Sequence, residues 1–195
     1  MKKALLFVIL AAVLSAGAFA QHTQKGWGIG PGIQFGDSWS KDARWGTNGV
    51  GSGLALFLKA PSLPIFWSIY APIFDYEFGD LTTFGLRVTG DYYIYDKPLA
   101  ADIHLGWYLG VGGYAGFWHA SYEYKYLNTN YSWSRNLFDL GVRVPVGLSF
   151  QPADFIEIFA EIAPSVGFYM WTGDGADSSG LGGGWQGALG VRFWL

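Results

Sequence analysis

The sequence predicts an all-β fold: an eight-stranded antiparallel up-and-down barrel that spans a membrane. Three observations carry that expectation. Apolar residues alternate with small or polar ones along most of the chain after Lys25, the period of a strand with one buried face. Charged residues make up only 14% of the 195, where a soluble domain carries about 25%. Glycine reaches 29 and aromatic residues 19%, a composition that suits lipid on one side and a crowded interior on the other. The same numbers exclude a disordered chain, which would be polar and poor in aromatics. A net charge of −3 argues against a nucleic-acid partner. With no cysteine, disulfides and thiolate metal sites are excluded.

Residues 1–20 read as a cleaved secretory signal. Lys2 and Lys3 open it, residues 4–14 are apolar, and Ala18-Phe19-Ala20 precedes Gln21 as a small-x-small cleavage site. Removing 20 residues from 195 leaves 175, with 10 basic and 15 acidic side chains, a net charge of −5. Residues 21–195 are expected to form a single barrel domain. No apolar run of about 18 residues remains there, so any crossing must use strands.

Eight alternating stretches follow in order. In 26–35 the apolar face is Trp27, Ile29, Pro31, Ile33 and Phe35, against glycines and Gln34. In 53–59 it is Leu54, Leu56 and Leu58, against Gly53, Ala55, Phe57 and Lys59. In 65–73, Trp67, Ile69 and Ile73 oppose Phe66, Ser68 and Tyr70. In 82–95, Phe84, Leu86, Val88, Tyr92 and Ile94 oppose Arg87, Thr89, Asp91 and Tyr93. In 103–111, Ile103, Leu105, Trp107, Leu109 and Val111 oppose Asp102, His104, Gly106 and Tyr108. The cleanest is 136–150, with Phe138, Leu140, Val142, Val144, Val146, Leu148 and Phe150 against Asp139, Gly141, Arg143, Pro145, Gly147 and Ser149. In 155–169, Ile156, Ile158, Ile162, Val166 and Phe168 oppose Glu157, Phe159, Glu161 and Ala163. In 185–195, Trp185, Leu189, Val191, Phe193 and Leu195 oppose Gln186, Ala188, Gly190, Arg192 and Trp194.

Short connections near 60–64, 96–98 and 151–154 alternate with longer ones near 36–50, 75–81, 117–134 and 170–184, the pattern of short periplasmic turns and long outer loops. A soluble cup would carry charge outside and apolar residues within. Here the aliphatic face is almost uncharged, as lipid demands, and the other face is too small and too uncharged to make a good water surface. Two aromatic girdles are expected: Phe35, Phe74, Phe117, Trp118, Trp133, Phe168 and Trp171 on the loop side, and Tyr95, Phe150, Phe155 and Phe193 on the turn side.

The last residues, Gly190-Val191-Arg192-Phe193-Trp194-Leu195, resemble the terminal signal of outer-membrane barrels, with Gly190, Phe193 and Leu195 at its marked positions. The whole chain from residue 21 resembles the small eight-strand outer-membrane group that includes OmpX, OmpW and the barrel of OmpA. Leu58-Lys59-Ala60-Pro61-Ser62-Leu63-Pro64 and Gly141-Val142-Arg143-Val144-Pro145-Val146-Gly147 are similar, more narrowly, to an uncharacterised family of small spirochaete outer-membrane proteins. The resemblance implies an outer-membrane location, a terminal segment read by the barrel-insertion machinery, and partners among outer-membrane lipid and host or environmental proteins.

Candidate chemistry lies on the inward face. Lys59, Arg87, Arg143 and Arg192 stand against Asp91, Asp102, Asp139, Glu157 and Glu161, with His104 beside them. An eight-strand interior is just filled by side chains, and charges there must pair or be hydrated, so a plug of ion pairs is expected, with an ion path as the alternative. Counting back from the turn at 151–154 sets Arg143 opposite Glu161 and Arg192 near Glu157 and Glu161. His119 and Ser121 with Glu123 match the His-x-Ser pair and Glu of barrel lipid A deacylases, but the pattern reads as outer loop there. Gly110-Val111-Gly112-Gly113-Tyr114-Ala115 mimics a dinucleotide fingerprint without its helix and reads as a strand with room for bulky neighbours. Asp174 and Asp177 fall short of a calcium loop. No catalytic group, metal or cofactor is assigned. Tyr122, Tyr124, Tyr126, Tyr131 and Trp133 make the 117–134 segment the candidate contact surface, because Tyr and Trp are enriched in protein contacts. The expected function is a monomeric, closed outer-membrane barrel with a structural or surface-interaction role. A narrow channel for small molecules is the alternative, and a lipid-modifying enzyme the third reading.

Overall fold

The computed structural model describes residues 26–39, 52–61, 63–72, 80–126, 129–174 and 178–195. Residues 1–20, expected to be a signal, together with Phe74 and most of the connection 36–50, lie outside these. Among the described residues nine strands are formed: β1 (Gly28–Trp39), β2 (Gly53–Lys59), β3 (Phe66–Pro72), β4 (Asp80–Ala100), β5 (Leu105–Tyr126), β6 (Thr129–Arg143), β7 (Val146–Ala153), β8 (Ile156–Gly173) and β9 (Ser178–Trp194). A short 3-10 turn, Ala101–Ile103, joins β4 to β5. Every neighbouring pair is antiparallel, and β1 pairs with both β2 and β9, so the sheet closes on itself. Both β6 and β7 pair with β5 on one side and β8 on the other. They are two halves of one crossing, so nine strands make eight crossings.

That sixth crossing was expected to run unbroken over 136–150. Its alternation is indeed continuous, but Val144-Pro145 interrupts the ladder. The amide of Val144 donates to the carbonyl of Pro164 at 3.0 Å, and that of Gly110 to the carbonyl of Pro145 at 2.8 Å. Neither proline has an N–H to return the bond, so each contact carries one hydrogen bond where a ladder pair carries two.

The alternation sorts the side chains as the sequence predicts. On β6 and β7, Phe138, Leu140, Val142, Val144, Val146, Leu148 and Phe150 are all exposed on the outer wall, while Arg143, Pro145 and Ser149 are buried. The same sorting holds for Leu54 and Leu56 against Phe57 and Lys59 on β2, and for Ile158 and Ile162 against Glu157 and Phe159 on β8. The outer wall is therefore an apolar belt around a ring without edges, and a closed ring pairs its backbone groups where no water can. Among the described residues no helix is long and apolar enough to cross a membrane; strands make the crossing. An even number of antiparallel crossings with such a belt defines a transmembrane barrel of the bacterial outer membrane.

Four expectations need correction. The segments 117–134 and 170–184 are largely paired strand, not long loops. β5 runs to Tyr126 and β6 begins at Thr129, with Tyr126 opposite Thr129, and β8 and β9 pair from Trp171 opposite Ser178. A crossing needs about 9–11 residues, so the 22 of β5 reach far beyond the bilayer. Second, Pro98 lies in β4, and the turn falls at 101–104. The β4–β5 ladder shifts register between Tyr93 and Tyr95 and again near Pro98, so Tyr95 faces out and Asp96 faces in. Third, Asp102 and His104 stand in or just after the 3-10 turn and are exposed; they are not in the interior. Fourth, Trp118 is buried inside the barrel and Trp171 packs against the interior cluster, so neither belongs to a girdle. Tyr95, Phe150, Phe155, Phe168 and Phe193 do face outward.

The start of the described barrel and its last residue meet at the short-turn end. Trp27 and Leu195 exchange backbone hydrogen bonds at 3.1 and 2.8 Å. Short turns mark the periplasmic side, so a cysteine at position 124 is expected to react with an impermeant thiol reagent on intact cells, and one at position 98 only after permeabilisation. The reverse pattern would invert the topology. On the lipid face, Val142→Arg is expected to cost about 2–4 kcal/mol in refolding titrations into vesicles, against much less for Val142→Ala.

Candidate functional site

The interior holds three layers of charge, placed by the strand register. Glu157 on β8 lies directly opposite Arg192 on β9. Four residues further along, β8 presents Glu161. β4 likewise presents Asp91 and then Arg87, and β6 presents Arg143 and Asp139. A four-residue step is about 13 Å along a strand, so the layers occupy most of the membrane's depth.

In the layer nearest the periplasm, Arg192 and Glu157 are only 2% and 1% exposed. Arg192 Nη1 bonds Glu157 Oε2 at 2.7 Å, and Trp194 Nε1 donates to the same oxygen at 3.1 Å. The guanidinium also lies 4.7 Å from the ring centres of both Phe66 and Phe159. Lys59 shares this level. Its ammonium donates to the carbonyl of Ala60 at 2.7 Å and lies 5.8 Å from the Phe66 ring.

Arg143 organises the middle layer. Its Nη2 bonds Glu161 Oε1, and its Nη1 donates to Gln186 Oε1 at 2.7 Å. Its Nε lies 3.2 Å from Asp91 Oδ1, an ion pair without hydrogen-bond alignment. Glu161 Oε2 accepts from the Tyr108 hydroxyl at 3.1 Å and lies 3.5 Å from that of Tyr93. Those two rings stack at 4.2 Å, and Tyr93 stacks on Phe66 at 4.1 Å, joining this layer to the one below. In the outer layer Arg87 pairs with Asp139, its guanidinium 5.0 Å from the Tyr114 ring and 5.3 Å from that of Trp118. Beside the charges runs a neutral chain. Gln34 Nε2 donates to Ser68 Oγ at 2.8 Å, and Ser68 shares a hydrogen bond with Thr89 at 2.8 Å.

Glycine makes room for these groups. A Cβ on Gly112 would collide with the Asp91 carboxylate, and one on Gly147 with the Tyr108 ring. The fingerprint-like run 110–115 is thus part of β5, its glycines leaving space for side chains of neighbouring strands. Between the charges, Phe57 and Phe159 meet edge-on at 4.7 Å within a cluster that includes Tyr70, Trp118 and Leu137.

The structure thus brings together Lys59, Arg87, Asp91, Asp139, Arg143, Glu157, Glu161 and Arg192, and leaves Asp102 and His104 outside. Contact between Arg143 and Glu161 arises differently from the expected register. Arg143 opposes Ser165 and Glu161 opposes Gly147, so the guanidinium reaches Glu161 along a diagonal. Sequence reasoning missed Asp96, which is buried, because a bulge reverses the alternation just before it. Gln34, Gln186 and Ser68 carried a usable signal, since each sits at an inward-facing position.

His119 lies in β5, not in a loop, and its Nδ1 bonds Asn136 Oδ1 at 2.8 Å. The side chain of Glu123 lies outside the described residues. Asp174 closes the β6–β8 end, its carboxylate accepting from the Ser134 amide at 2.9 Å; Asp177 lies outside the described residues. Tyr122, Tyr124 and Tyr126 take alternate positions on β5, with Tyr122 opposite Trp133 and Tyr124 opposite Tyr131 on β6. Trp133 is exposed, 5.8 Å from the guanidinium of Arg135. At the end of β9, Gly190 lies under Phe159, and Phe193 and Leu195 face outward.

An eight-crossing barrel with a paired-charge core defines an outer-membrane barrel protein. Residues 49–193 match the family described as "Protein of unknown function (DUF3996)", and the chain belongs to that family. No curated protein matches it. Several solved structures are similar to this chain, among them three outer-membrane proteins. Ail, the attachment invasion locus protein of Yersinia pestis, is 13% identical with a TM-score of 0.45, over 87% of this chain and 99% of that one. Neisserial surface protein A is 10% identical with a TM-score of 0.44, over 87% and 97%. A major outer membrane protein of Thermus thermophilus is 13% identical with a TM-score of 0.46, over 87% and 98%.

Removing one member of a buried pair leaves the other charge stranded. Glu157→Ala is expected to cost about 3–5 kcal/mol in denaturant-induced unfolding from micelles or vesicles, and Glu157→Leu combined with Arg192→Met to recover most of it. A double variant no more stable than the single would show that the stranded charge contributes little to the cost.

Proposed function

We propose that the protein is a closed, monomeric scaffold that presents its outer hairpins to partners beyond the membrane, with no catalytic role. The observation that carries this reading is the contrast between the two parts of β4, β5 and β6. Within the membrane their inward side chains fill the lumen with paired charge and aromatic rings. Beyond it the same strands stay paired up to Asp80 opposite Glu123 and Tyr126 opposite Thr129. Backbone pairing carried that far past the bilayer makes a stiff platform instead of a loose loop, and a pre-ordered surface loses less entropy on binding. The partner is a host or environmental protein, and Tyr122, Tyr124, Tyr126, Tyr131 and Trp133 are the residues chosen for contact. At biogenesis the segment ending in Gly190, Phe193 and Leu195 addresses the chain to the insertion machinery.

Planar-bilayer recording separates this from a channel. Purified wild-type protein is expected to pass no steady current, and Glu161→Ala to open a small leak as Arg143 loses its partner. A wild-type channel of stable unit conductance, unchanged by that substitution, would overturn the closed-barrel reading. A pull-down on intact cells, comparing the full chain with one lacking residues 122–133, tests the platform: capture of the same partners by both would place the contact elsewhere.

A further inference from the structure

At the short-turn end the wall of the barrel opens into a cavity of about 410 Å³ lined by Asp96, Lys97, His104, Ser149, Gln151 and Asp154 among others. It lies away from the outer hairpins and takes no part in the three charged layers. Its wall is part polar and part apolar, with Pro98, Ala101 and Leu105 beside the polar groups, and it includes two buried residues, Asp96 and Ser149. Its rim is fixed: the His104 amide donates to the carbonyl of Ala101 at 3.2 Å, and the Gln151 amide to the carbonyl of His104 at 3.1 Å. The side-chain Nε2 of Gln151 is buried and, among the described residues, has no hydrogen-bond partner. A buried donor of that kind calls for an acceptor, and one brought by a ligand would serve.

Charge narrows the choice of ligand. The ammonium of Lys97 lies 4.8 Å from the ring of Tyr95, which is exposed on the outer wall. Two of the cavity's lining residues, Asp96 and Asp154, are carboxylates. An anion would meet both of them. A metal ion is poorly served, since no group of three or more potential ligand side chains occurs among the described residues. An ammonium suits the carboxylates and the Ser149 hydroxyl, and a carbonyl oxygen suits Gln151. Cavities of about this size take small organic ligands.

We propose that this cavity binds the amino end of a small peptide from the periplasm, its ammonium at Asp96 and Asp154 and its first carbonyl at Gln151 Nε2. The test is a nuclear magnetic resonance titration of the whole barrel in detergent micelles with glycinamide, its N-acetyl derivative and calcium. Glycinamide is expected to shift amides of the 96–106 and 149–154 segments and to saturate at or below about 100 mM, the weak range open to so small a ligand. Acetylation, which removes the ammonium, is expected to weaken binding at least about tenfold. Gln151→Leu and Asp154→Asn should each weaken it about fivefold or more while leaving the rest of the spectrum unchanged. Asp154 is exposed at the rim, so its variant reports on binding even if a change at Gln151 disturbs folding. Shifts that stay linear, equal binding of the acetylated probe, unaltered affinity in Asp154→Asn, or saturation by calcium alone would each overturn the proposal.

Discussion

Closure of the backbone ladder is the constraint from which the rest of this structure follows. In hydrocarbon no water is available to the amides, so the sheet must have no edge. Pairing of β1 with β9 removes the last one, and the backbone bonds between Trp27 and Leu195 extend that seam. Closure with eight crossings fixes a narrow bore that side chains can just fill. The inward residues must therefore be glycine where a ring or carboxylate from the next strand lies over the backbone, and large where it does not. Gly112 beneath Asp91 and Gly147 beneath Tyr108 are two results of that rule.

Charge in so narrow a bore must be compensated, and the three layers differ in how this is done. Glu157 and Arg192 are ladder partners, so backbone register alone sets them face to face. Arg143 spreads its guanidinium over Glu161, Gln186 and Asp91, while Glu161 takes hydroxyl contacts from Tyr108 on β5 and Tyr93 on β4. Rings then enclose the cations, as Phe66 and Phe159 do for Arg192. Arg87 and Arg192 are thus each paired with a carboxylate and flanked by rings, an arrangement that suits a delocalised planar cation.

Within the bilayer the fold was legible residue by residue. Lipid outside and a packed bore inside force strict alternation, so Phe138 to Phe150 sorted correctly without any structural information. Past the membrane that force vanishes. Residues 117–134 lose their apolar face and read as loop, although the hydrogen-bonded ladder continues to Tyr126 and Thr129. Local irregularities were equally hidden. A register shift after Tyr93 leaves the composition untouched yet turns Asp96 inward, and a 3-10 turn takes Asp102 and His104 out of the bore. Proline at position 145 could be seen in the sequence, but its inward-facing place in the alternation concealed that the ladder breaks there.

The interior cations also settle which face of β2, β4, β6 and β9 meets lipid. Because side chains alternate, a slip of one residue would turn a whole strand inside out. On β6 and β7 the inward set contains glycine, proline and serine, none of which lipid strongly rejects. Asp139 and Arg143 are the charged exceptions: at mid-bilayer on the outer wall Arg143 would cost about 2–4 kcal/mol, and the middle layer would lose the cation that holds Glu161 and Asp91. Lys59, Arg87 and Arg192 bias β2, β4 and β9 in the same direction, by an amount that falls toward the interfaces. An apolar filler could occupy the same volume and even add stability, but it would leave the two faces of the strand nearly equivalent to lipid. On β2, β4, β6 and β9 one buried cation makes them inequivalent, so on those strands the pairing that closes the charge layers is also the pairing that faces the belt outward.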